Sequence, residues 1–195
     1  MSILYYNIPN IFHINVPFGN INCLNVETIN KELTLFIGFN DGKINIVSDF
    51  ESLSVPWKTF PTTCIKINKH QDSIYQIRYR DNQLLTCSRD KSVVLWDVSK
   101  NKCIKKYEEK TIVWDCCFYK NSIIYGTEDG MINIVNIKNN TINNFSGFYD
   151  FLESTIFKTK SCIFSLNTIQ YKNSLINPTK YLFFGGKNKF GIYHL

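Results

Sequence analysis

The sequence predicts an all-β protein built from repeated small sheets, and two observations support this fold class. None of the 195 residues is alanine, the residue that most favours helix, whereas Ile, Phe, Tyr, Val and Thr, which favour strands, are abundant. Short alternating apolar runs recur between turn-forming residues, and only residues 149–159 suggest a 3.6-residue period. A helical bundle is therefore strongly disfavoured.

Charge and cysteine content exclude several classes of protein. The net charge is +6, and because the lysines are scattered it permits a nucleic-acid or acidic partner without requiring one. Seven cysteines without C-x-x-C spacing predict reduced, mostly buried thiols rather than a metal site or a complete disulfide framework. Residues 1–20 lack the basic start of a signal peptide, and no apolar run has the length of a membrane span. We therefore expect a soluble protein of the cytoplasm or nucleus that does not bind membranes.

One segment shows the repeating unit in its clearest form. Its three predicted strands are joined by tight turns at Asp81–Asn82 and at Arg89–Lys91, and a fourth strand is expected at Cys103–Tyr107. The three strands are Ile74–Tyr79, Gln83–Ser88 and Ser92–Val98.

The same template occurs four times along the chain. The interval from the first apolar anchor to the turn aspartate is 16 residues in two copies, Ile74 to Asp90 and Val113 to Asp129. It is 20 residues in the first copy, which we ascribe to a longer first hairpin loop, and a fourth copy begins at Ile163. Repeated β-units of this size predict propeller blades rather than a β-sandwich. The predicted blades cover approximately 21–69, 70–108, 109–160 and 161–195, and the strand-like segment 1–20 is a candidate closing strand.

The second copy resembles the repeat of the WD-repeat family. It carries His70, then Ser88-Arg89-Asp90, then Leu95-Trp96-Asp97. The resemblance implies a buried structural tetrad of His70, Ser88, Asp90 and Trp96. In it Asp90 binds His70, His70 binds the hydroxyl of Ser88, with Thr86 as the alternative, and that hydroxyl binds the indole of Trp96. The other copies depart from this pattern, because Val47, Val135 and Tyr193 stand at the Trp96 position and Glu109 stands at the His70 position of the third copy.

The number of copies bears on closure of the ring. Family members usually close with about seven blades, and this sequence supplies about four. We therefore favour a partial, open propeller completed by a protein partner or by a second copy of the chain over a closed four-bladed ring. An open propeller exposes a blade face, which is a surface for recruitment.

The sequence contains no pattern that predicts catalysis. Nucleophile-elbow, zinc-protease and phosphate-loop motifs are missing, and His70 with Asp90 is better explained by the structural tetrad than by a catalytic dyad. Cys87 and Cys116 fall on strand positions that favour core packing over a reactive thiol. We therefore predict no enzyme activity, no catalytic residue, no metal, no cofactor and no small-molecule substrate.

The resemblance also implies where a partner docks. In the family, the residue after the first apolar anchor of each blade faces the mouth of the central channel. Aromatic residues at three of these positions form a candidate anchor site, flanked by two charged residues on the neighbouring turns. The predicted partner-binding residues are Asn22, Tyr75, Trp114, Phe164, Arg89 and Glu128.

Three functions are consistent with the sequence. The first is a non-enzymatic scaffold that binds proteins within a larger assembly. The second is an accessory subunit of a tRNA ribose 2′-O-methyltransferase, because Val113-Trp114-Asp115 and Gly126-Thr127-Glu128-Asp129 resemble a copy in the large WD-repeat partner of such an enzyme, and RNA contact would then be at most indirect. The third is a truncated copy that retains no binding role. A coherent basic face would favour the second, and the scattered lysines do not provide one.

Overall fold

A computed structural model describes residues 19–48, 65–138, 142–146, 162–171, 179–187 and 189–194. The candidate closing strand in 1–20 lies outside this part of the chain apart from Gly19 and Asn20, and the 149–159 segment lies outside it entirely. Fifteen strands and no helix occur in the described residues. They accordingly include no helix long and apolar enough to cross a membrane.

The strands form four antiparallel sheets that follow one another along the chain. In each sheet the spatial order of the strands matches their order in sequence or its reverse, so each sheet is a simple meander. Blade 1 contains β1 (Ile21–Ile29), β2 (Glu32–Phe39), β3 (Lys43–Ser48) and β4 (Ile65–Asn68), and blade 2 contains β5 (Ile74–Arg80), β6 (Gln83–Ser88), β7 (Ser92–Asp97) and β8 (Lys102–Glu108).

The remaining two blades repeat this plan. Three strands of blade 4 lie in the described residues. Blade 3 contains β9 (Val113–Tyr119), β10 (Ser122–Thr127), β11 (Met131–Asn136) and β12 (Ile142–Ser146), and blade 4 contains β13 (Ile163–Tyr171), β14 (Thr179–Gly186) and β15 (Lys189–His194).

The hydrophobic core lies between the blades rather than within any one of them. One apolar cluster joins blades 1 and 2 through Phe36 and Ile74, a second joins blades 2 and 3 through Leu95 and Val113, and a third joins blades 3 and 4. The first strands contact one another in succession, β1 with β5, β5 with β9 and β9 with β13. A central blade is therefore buried on both faces, which accounts for its nearly continuous apolar strands. The predicted partial β-propeller is confirmed.

The first hairpin of blade 1 corrects one expectation. Its extra length lies in the strands and not in the loop, because β1 and β2 are joined by the two-residue turn Asn30–Lys31, just as β5 and β6 are joined by Asp81–Asn82. All four turn residues have positive φ, as a tight hairpin turn requires. Two additional residues on each strand extend the ladder, so the hydrophobic alternation keeps its register.

Candidate partner-binding site

The predicted partner-binding residues share one backbone feature, a β-bulge near the start of the first strand of each blade. The pairing of β5 with β6 passes from Ile74 to Gln76 and leaves Tyr75 unpaired. The same shift leaves Trp114 unpaired in β9, and it recurs in β1 and β13 at Asn22 and Phe164. A bulge turns one side chain away from the regular alternation of the strand. The four bulges thus give these residues equivalent positions in the four blades.

Three of the bulge residues form a continuous ladder of aromatic rings. The rings of Tyr75 and Trp114 stack with centroids 4.6 Å apart and an interplanar angle of 14°. The ring of Phe164 meets Trp114 edge-on, at 5.2 Å and 77°. Phe164 is exposed, Tyr75 and Trp114 are half-buried, and Asn22 continues the series in blade 1 as an exposed polar residue. The ladder therefore bridges three blades and retains exposed ring surface.

The indole of Trp114 carries an unused hydrogen-bond donor. Its Nε1 atom is buried and has no hydrogen-bond partner among the described residues. A buried N–H without an acceptor costs about 1–3 kcal/mol. Trp96, by contrast, donates its indole N–H to Thr86 Oγ1 at 3.3 Å.

Charged side chains surround the tyrosine end of the ladder. Arg89 and Glu128 are exposed on equivalent turns, held by hydrogen bonds from their amides to the carbonyls of Ser73 and Ile112, at 2.9 and 2.8 Å. Burial raises the pKa of Tyr75, Arg89 opposes the rise, and the negative charges of Asp72 and Glu128 add to it. Arg89 Nε also lies 3.9 Å from Asp72 Oδ2. The rim thus combines both signs of charge next to the aromatic rings.

The polar tetrad of blade 2 uses a different hydroxyl from the one we favoured. His70 Nε2 lies 2.8 Å from Thr86 Oγ1, and His70 Nδ1 lies 3.0 Å from Asp90 Oδ2. Because an ionised carboxylate only accepts, Nδ1 donates to Asp90, and in the neutral imidazole Nε2 is then the acceptor for the Thr86 hydroxyl. Ser88 is not part of this chain, since its hydroxyl donates to the Asp72 carbonyl at 2.9 Å and accepts from the Asp90 amide at 3.0 Å. Ser88 instead fixes the turn that carries Asp90.

Sequence reasoning missed Ser92 as a member of this network. Its hydroxyl donates to Asp90 Oδ1 at 2.6 Å and lies 3.1 Å from His70 Nδ1. Burial by itself would raise the pKa of Asp90, but the hydrogen bonds from His70 and Ser92 outweigh it and hold the pKa well below its ordinary value. The spacing Asp-x-Ser at the start of β7 is the sequence feature that indicates this contact. Asp90 is thus an ionised structural residue.

Blade 3 contains a second polar pair that was not anticipated. Tyr125 stands where Thr86 stands in blade 2, and its hydroxyl donates to Glu109 Oε1 at 2.6 Å. Beside this pair, Thr111 and Thr127 both donate to Asp129 Oδ1, at 3.2 and 2.5 Å. Alignment of the third copy with the second would have indicated this pair, because Glu109 stands at the His70 position and Tyr125 stands at the Thr86 position.

Polar side chains also connect one blade to the next. Asp115 Oδ2 accepts from the Leu166 amide at 2.7 Å, and Asn25 Nδ2 donates to the Ile77 carbonyl at 3.3 Å. Burial raises the pKa of Asp115, against the lowering effects of the Leu166 amide and of Arg78, whose Nη2 lies 4.0 Å from Asp115 Oδ1. These contacts fix the position of each first strand against its neighbour.

Two cysteines that we considered as nucleophiles lie in the core. Cys87 and Cys116 are fully buried, and burial raises the pKa of both thiols. A protonated thiol without solvent access is a poor nucleophile. No group of three or more His, Cys, Asp or Glu side chains in the described ranges is arranged to hold a metal ion.

Comparisons with known proteins agree with this architecture. The family model of the WD domain, G-beta repeat, matches residues 62–97, which include β4 to β7. A curated relative, the CCR4-associated factor 4 homolog of Vanderwaltozyma polyspora, is 27% identical over 116 residues, covering 55% of this chain and 16% of that protein. The matched segment thus represents only about one sixth of that relative.

Solved structures show a similar fold at low sequence identity. The computationally designed Ika4 protein superposes with a TM-score of 0.67 at 15% identity, covering 96% of this chain and 98% of that one. The designed Ika8 protein gives 0.63 at 17% identity, covering 90% and 46%, and Sqt1 of Saccharomyces cerevisiae gives 0.61 at 10%, covering 83% and 40%. WD-repeat folds generally act as interaction scaffolds. The predicted resemblance is confirmed over residues 62–97, which match the WD repeat model, and the described sheets form a partial β-propeller.

Proposed function

We propose that the chain is a non-enzymatic scaffold that docks a protein segment on the aromatic ladder of Tyr75, Trp114 and Phe164. The single observation that carries this proposal is the ladder itself, which joins three blades through stacked rings and leaves ring surface exposed. Aromatic side chains dominate the energetic centres of protein interfaces. The unused Trp114 Nε1–H provides a donor for a main-chain carbonyl of a bound segment after a small movement of the ring.

The charges at the rim favour a peptide over RNA. Arg89 lies 3.9 Å from Asp72, and the charges of Arg89, Asp72 and Glu128 all act on Tyr75, so the rim has both signs of charge. A surface that follows an RNA backbone needs a run of basic residues next to its stacking rings. We therefore prefer the protein-binding scaffold to the accessory subunit of a tRNA methyltransferase, and any RNA contact in such an assembly would be indirect.

The name of the curated relative supports action within an assembly. That protein is described as a factor associated with CCR4, which places it among proteins that work with a partner. By analogy we propose that this chain also works in a complex, in the cytoplasm or the nucleus, and that a protein partner covers the open ends of its blade array. A copy without any binding role does not require the exposed ladder.

The test is selection of peptides from a random display library against the full chain, followed by fluorescence anisotropy with the enriched peptides. Trp114→Leu and Phe164→Ser should each raise the Kd at least about tenfold, because hot-spot aromatic residues contribute 2 kcal/mol or more. Ile104→Ser is the matched control, since Ile104 is an exposed apolar residue on β8, outside the ladder. Peptides that bind all variants equally, or failure to enrich any peptide, would overturn the proposal.

A further inference from the structure

The two ends of the blade array carry complementary halves of an interface that the array already uses between its own blades. We call the face of a blade that meets the preceding blade its near face, and the face that meets the following blade its far face. The near face of blade 1 meets no preceding described blade, and the far face of blade 4 meets no following described blade. The register of the sheets identifies the equivalent residues in each blade.

A glycine and an isoleucine meet closely at two of the three interfaces between blades, and Cys87 and Val113 take these positions at the third. A Cβ atom added to Gly38 would lie 3.0 Å from Ile74 Cγ2, and one added to Gly126 would lie 2.4 Å from Ile163 Cγ2. Each glycine is the last-but-one residue of the second strand of its blade, and each isoleucine begins the first strand of the next blade. The missing side chain lets the isoleucine seat directly on the backbone of the neighbouring sheet.

The same two positions lie open at the ends of the array. Gly185 is the last-but-one residue of β14, and no atom comes within 4 Å of a Cβ built there. Ile21 begins β1 and is 42% exposed, whereas Ile74 and Ile163 are fully buried. Blade 4 thus has an empty seat, and blade 1 has an unseated isoleucine.

The surrounding apolar residues follow the same rule. Leu24 and Val26 on the near face of blade 1 are 54% and 49% exposed, whereas Ile77, the equivalent of Leu24, is fully buried. On the far face of blade 4, Phe190 is 80% exposed. Its equivalent in blade 2 is Val93, which is fully buried in the core between blades 2 and 3. The exposed residues of the two end faces are Ile21, Leu24, Val26, Phe190 and Ile192.

A polar contact is also available at the ends. Asn25 of blade 1 donates to the carbonyl of Ile77 in blade 2. Asn167 of blade 4 occupies the register position of Asn25 and is exposed, and Leu24 occupies the position of Ile77. An Asn167 amide on one array would therefore meet a Leu24 carbonyl on another in the geometry that the chain already uses internally.

We propose that a second copy of this chain completes the propeller, with Ile21 of each copy seated on Gly185 of the other. The partner is a second copy because the two end faces are complementary to each other and repeat the internal interface. The array superposes on 98% of the Ika4 chain and on 46% of the longer Ika8 chain, so the same fold also occurs at about twice the length of this array. Two arrays joined twice by the same contact leave no open end, which limits the assembly to a dimer.

This inference deepens the proposed scaffold function by naming the partner at the open ends, and it does not depend on the aromatic ladder. The first test is the mass of the full chain in solution by light scattering. We expect twice the 22.8 kDa chain mass for the wild type. Ile21→Asp should give a monomer, because the charge would be buried in the seat, and Ile104→Asp should remain a dimer as the matched control. A monomeric wild type would overturn the proposal.

The second test identifies the contact by cross-linking. Ile21→Cys and Gly185→Cys variants are prepared separately and mixed under oxidising conditions. A covalent dimer should form in the mixture at least about tenfold faster than in either variant by itself, since only the mixture brings both thiols to one interface. In a third variant that carries both cysteines, an intramolecular cross-link would show a closed four-bladed ring, and the lack of any cross-link in the mixture would show another occupant. Either result overturns the proposal.

Peptide binding distinguishes this inference from the proposed function. If Ile21→Asp is a folded monomer that binds the selected peptides with unchanged Kd, dimer formation and ladder docking are separate properties of the chain. If the dimer forms and no peptide is enriched, the assembly stands and the docking proposal fails.

Discussion

Blades 2 and 3 have the same strand plan but different polar interiors. Their first three strands have seven, six and six residues in both blades. In blade 2 a small Thr86 on the second strand leaves room for Trp96 on the third. In blade 3 the large residue is Tyr125 on the second strand, and the smaller Val135 takes the tryptophan position. The two blades thus fill equivalent space with a large side chain from the third strand in blade 2 and from the second strand in blade 3.

The exchange also changes how the segment before each first strand is tied to the sheet. In blade 2 the connection needs three side chains, from Trp96 through Thr86 to His70. In blade 3 the longer tyrosine reaches Glu109 directly. The comparison teaches that two blades of one fold build a hydrogen-bonded tie at the same place from different residue types.

The largest expected effect comes from breaking the two ties. His70→Leu leaves both Thr86 and Asp90 without their histidine partner, so it should lower the free energy of unfolding by about 2–4 kcal/mol. Glu109→Leu leaves the Tyr125 hydroxyl as the orphaned group and should cost about 1–2 kcal/mol. Urea unfolding of both variants at neutral pH measures the difference. Equal losses would mean that the longer chain in blade 2 adds no stability beyond a single pair.

Much of the fold could be predicted from the sequence because its determinants are local. Turn residues such as Asp81–Asn82 and the alternating runs around them define the hairpins, and the 16-residue interval repeats the plan. The prediction was wrong at the first hairpin of blade 1, where we expected a longer loop. In sequence, four additional residues are equally consistent with a longer loop and with longer strands. The pairs Thr28 with Leu33 and Ile29 with Glu32 show that the ladder is longer.

The site was less predictable because its contacts join different blades. The resemblance gave Tyr75, Trp114 and Phe164 equivalent positions in their blades, but their bulges and their mutual stacking depend on the pairing of strands and the angle between sheets. The choice between Ser88 and Thr86 depends on which hydroxyl the Asp72 carbonyl occupies. Sequence spacing cannot resolve such a choice, since both hydroxyls lie on the same strand two residues apart.

The pH dependence of stability should also differ between the two blades. Asp90 has a lowered pKa in the folded state, so its stabilising contribution is present above the ordinary carboxyl pKa of 3.8 and is lost as the pH falls. Asp115 has a raised pKa, so its contribution is largest when the carboxyl is protonated and is lost as the pH rises through the folded-state pKa.

Two asparagine variants separate these opposite contributions. Asp90→Asn should reduce the fall of the urea midpoint below about pH 5. Asp115→Asn should reduce the fall of the urea midpoint that occurs as the pH rises through the folded-state pKa of Asp115. Urea midpoints of both variants and the wild type, measured across the acid range, provide the comparison. If both variants changed the plot of urea midpoint against pH in the same pH range, the opposite pKa shifts assigned to Asp90 and Asp115 would be wrong.

The smallest expected effect concerns the position after the turn aspartate (Asp41, Asp90 or Asp129) in blades 1, 2 and 3. Gly42 and Gly130 occupy it in blades 1 and 3 with φ of 81° and 84°, whereas blade 2 has Lys91 with φ of 67°. A side chain in this left-handed region costs about 1–2 kcal/mol, which glycine avoids. Part of that gain in stability is lost because glycine has more backbone entropy in the unfolded chain. Lys91→Gly should therefore raise the free energy of unfolding by about 0.5–1 kcal/mol in thermal melts. Gly130→Ala should lower it, and if the two variants shifted stability in the same direction, backbone strain would not be what separates the turn of blade 2 from that of blade 3.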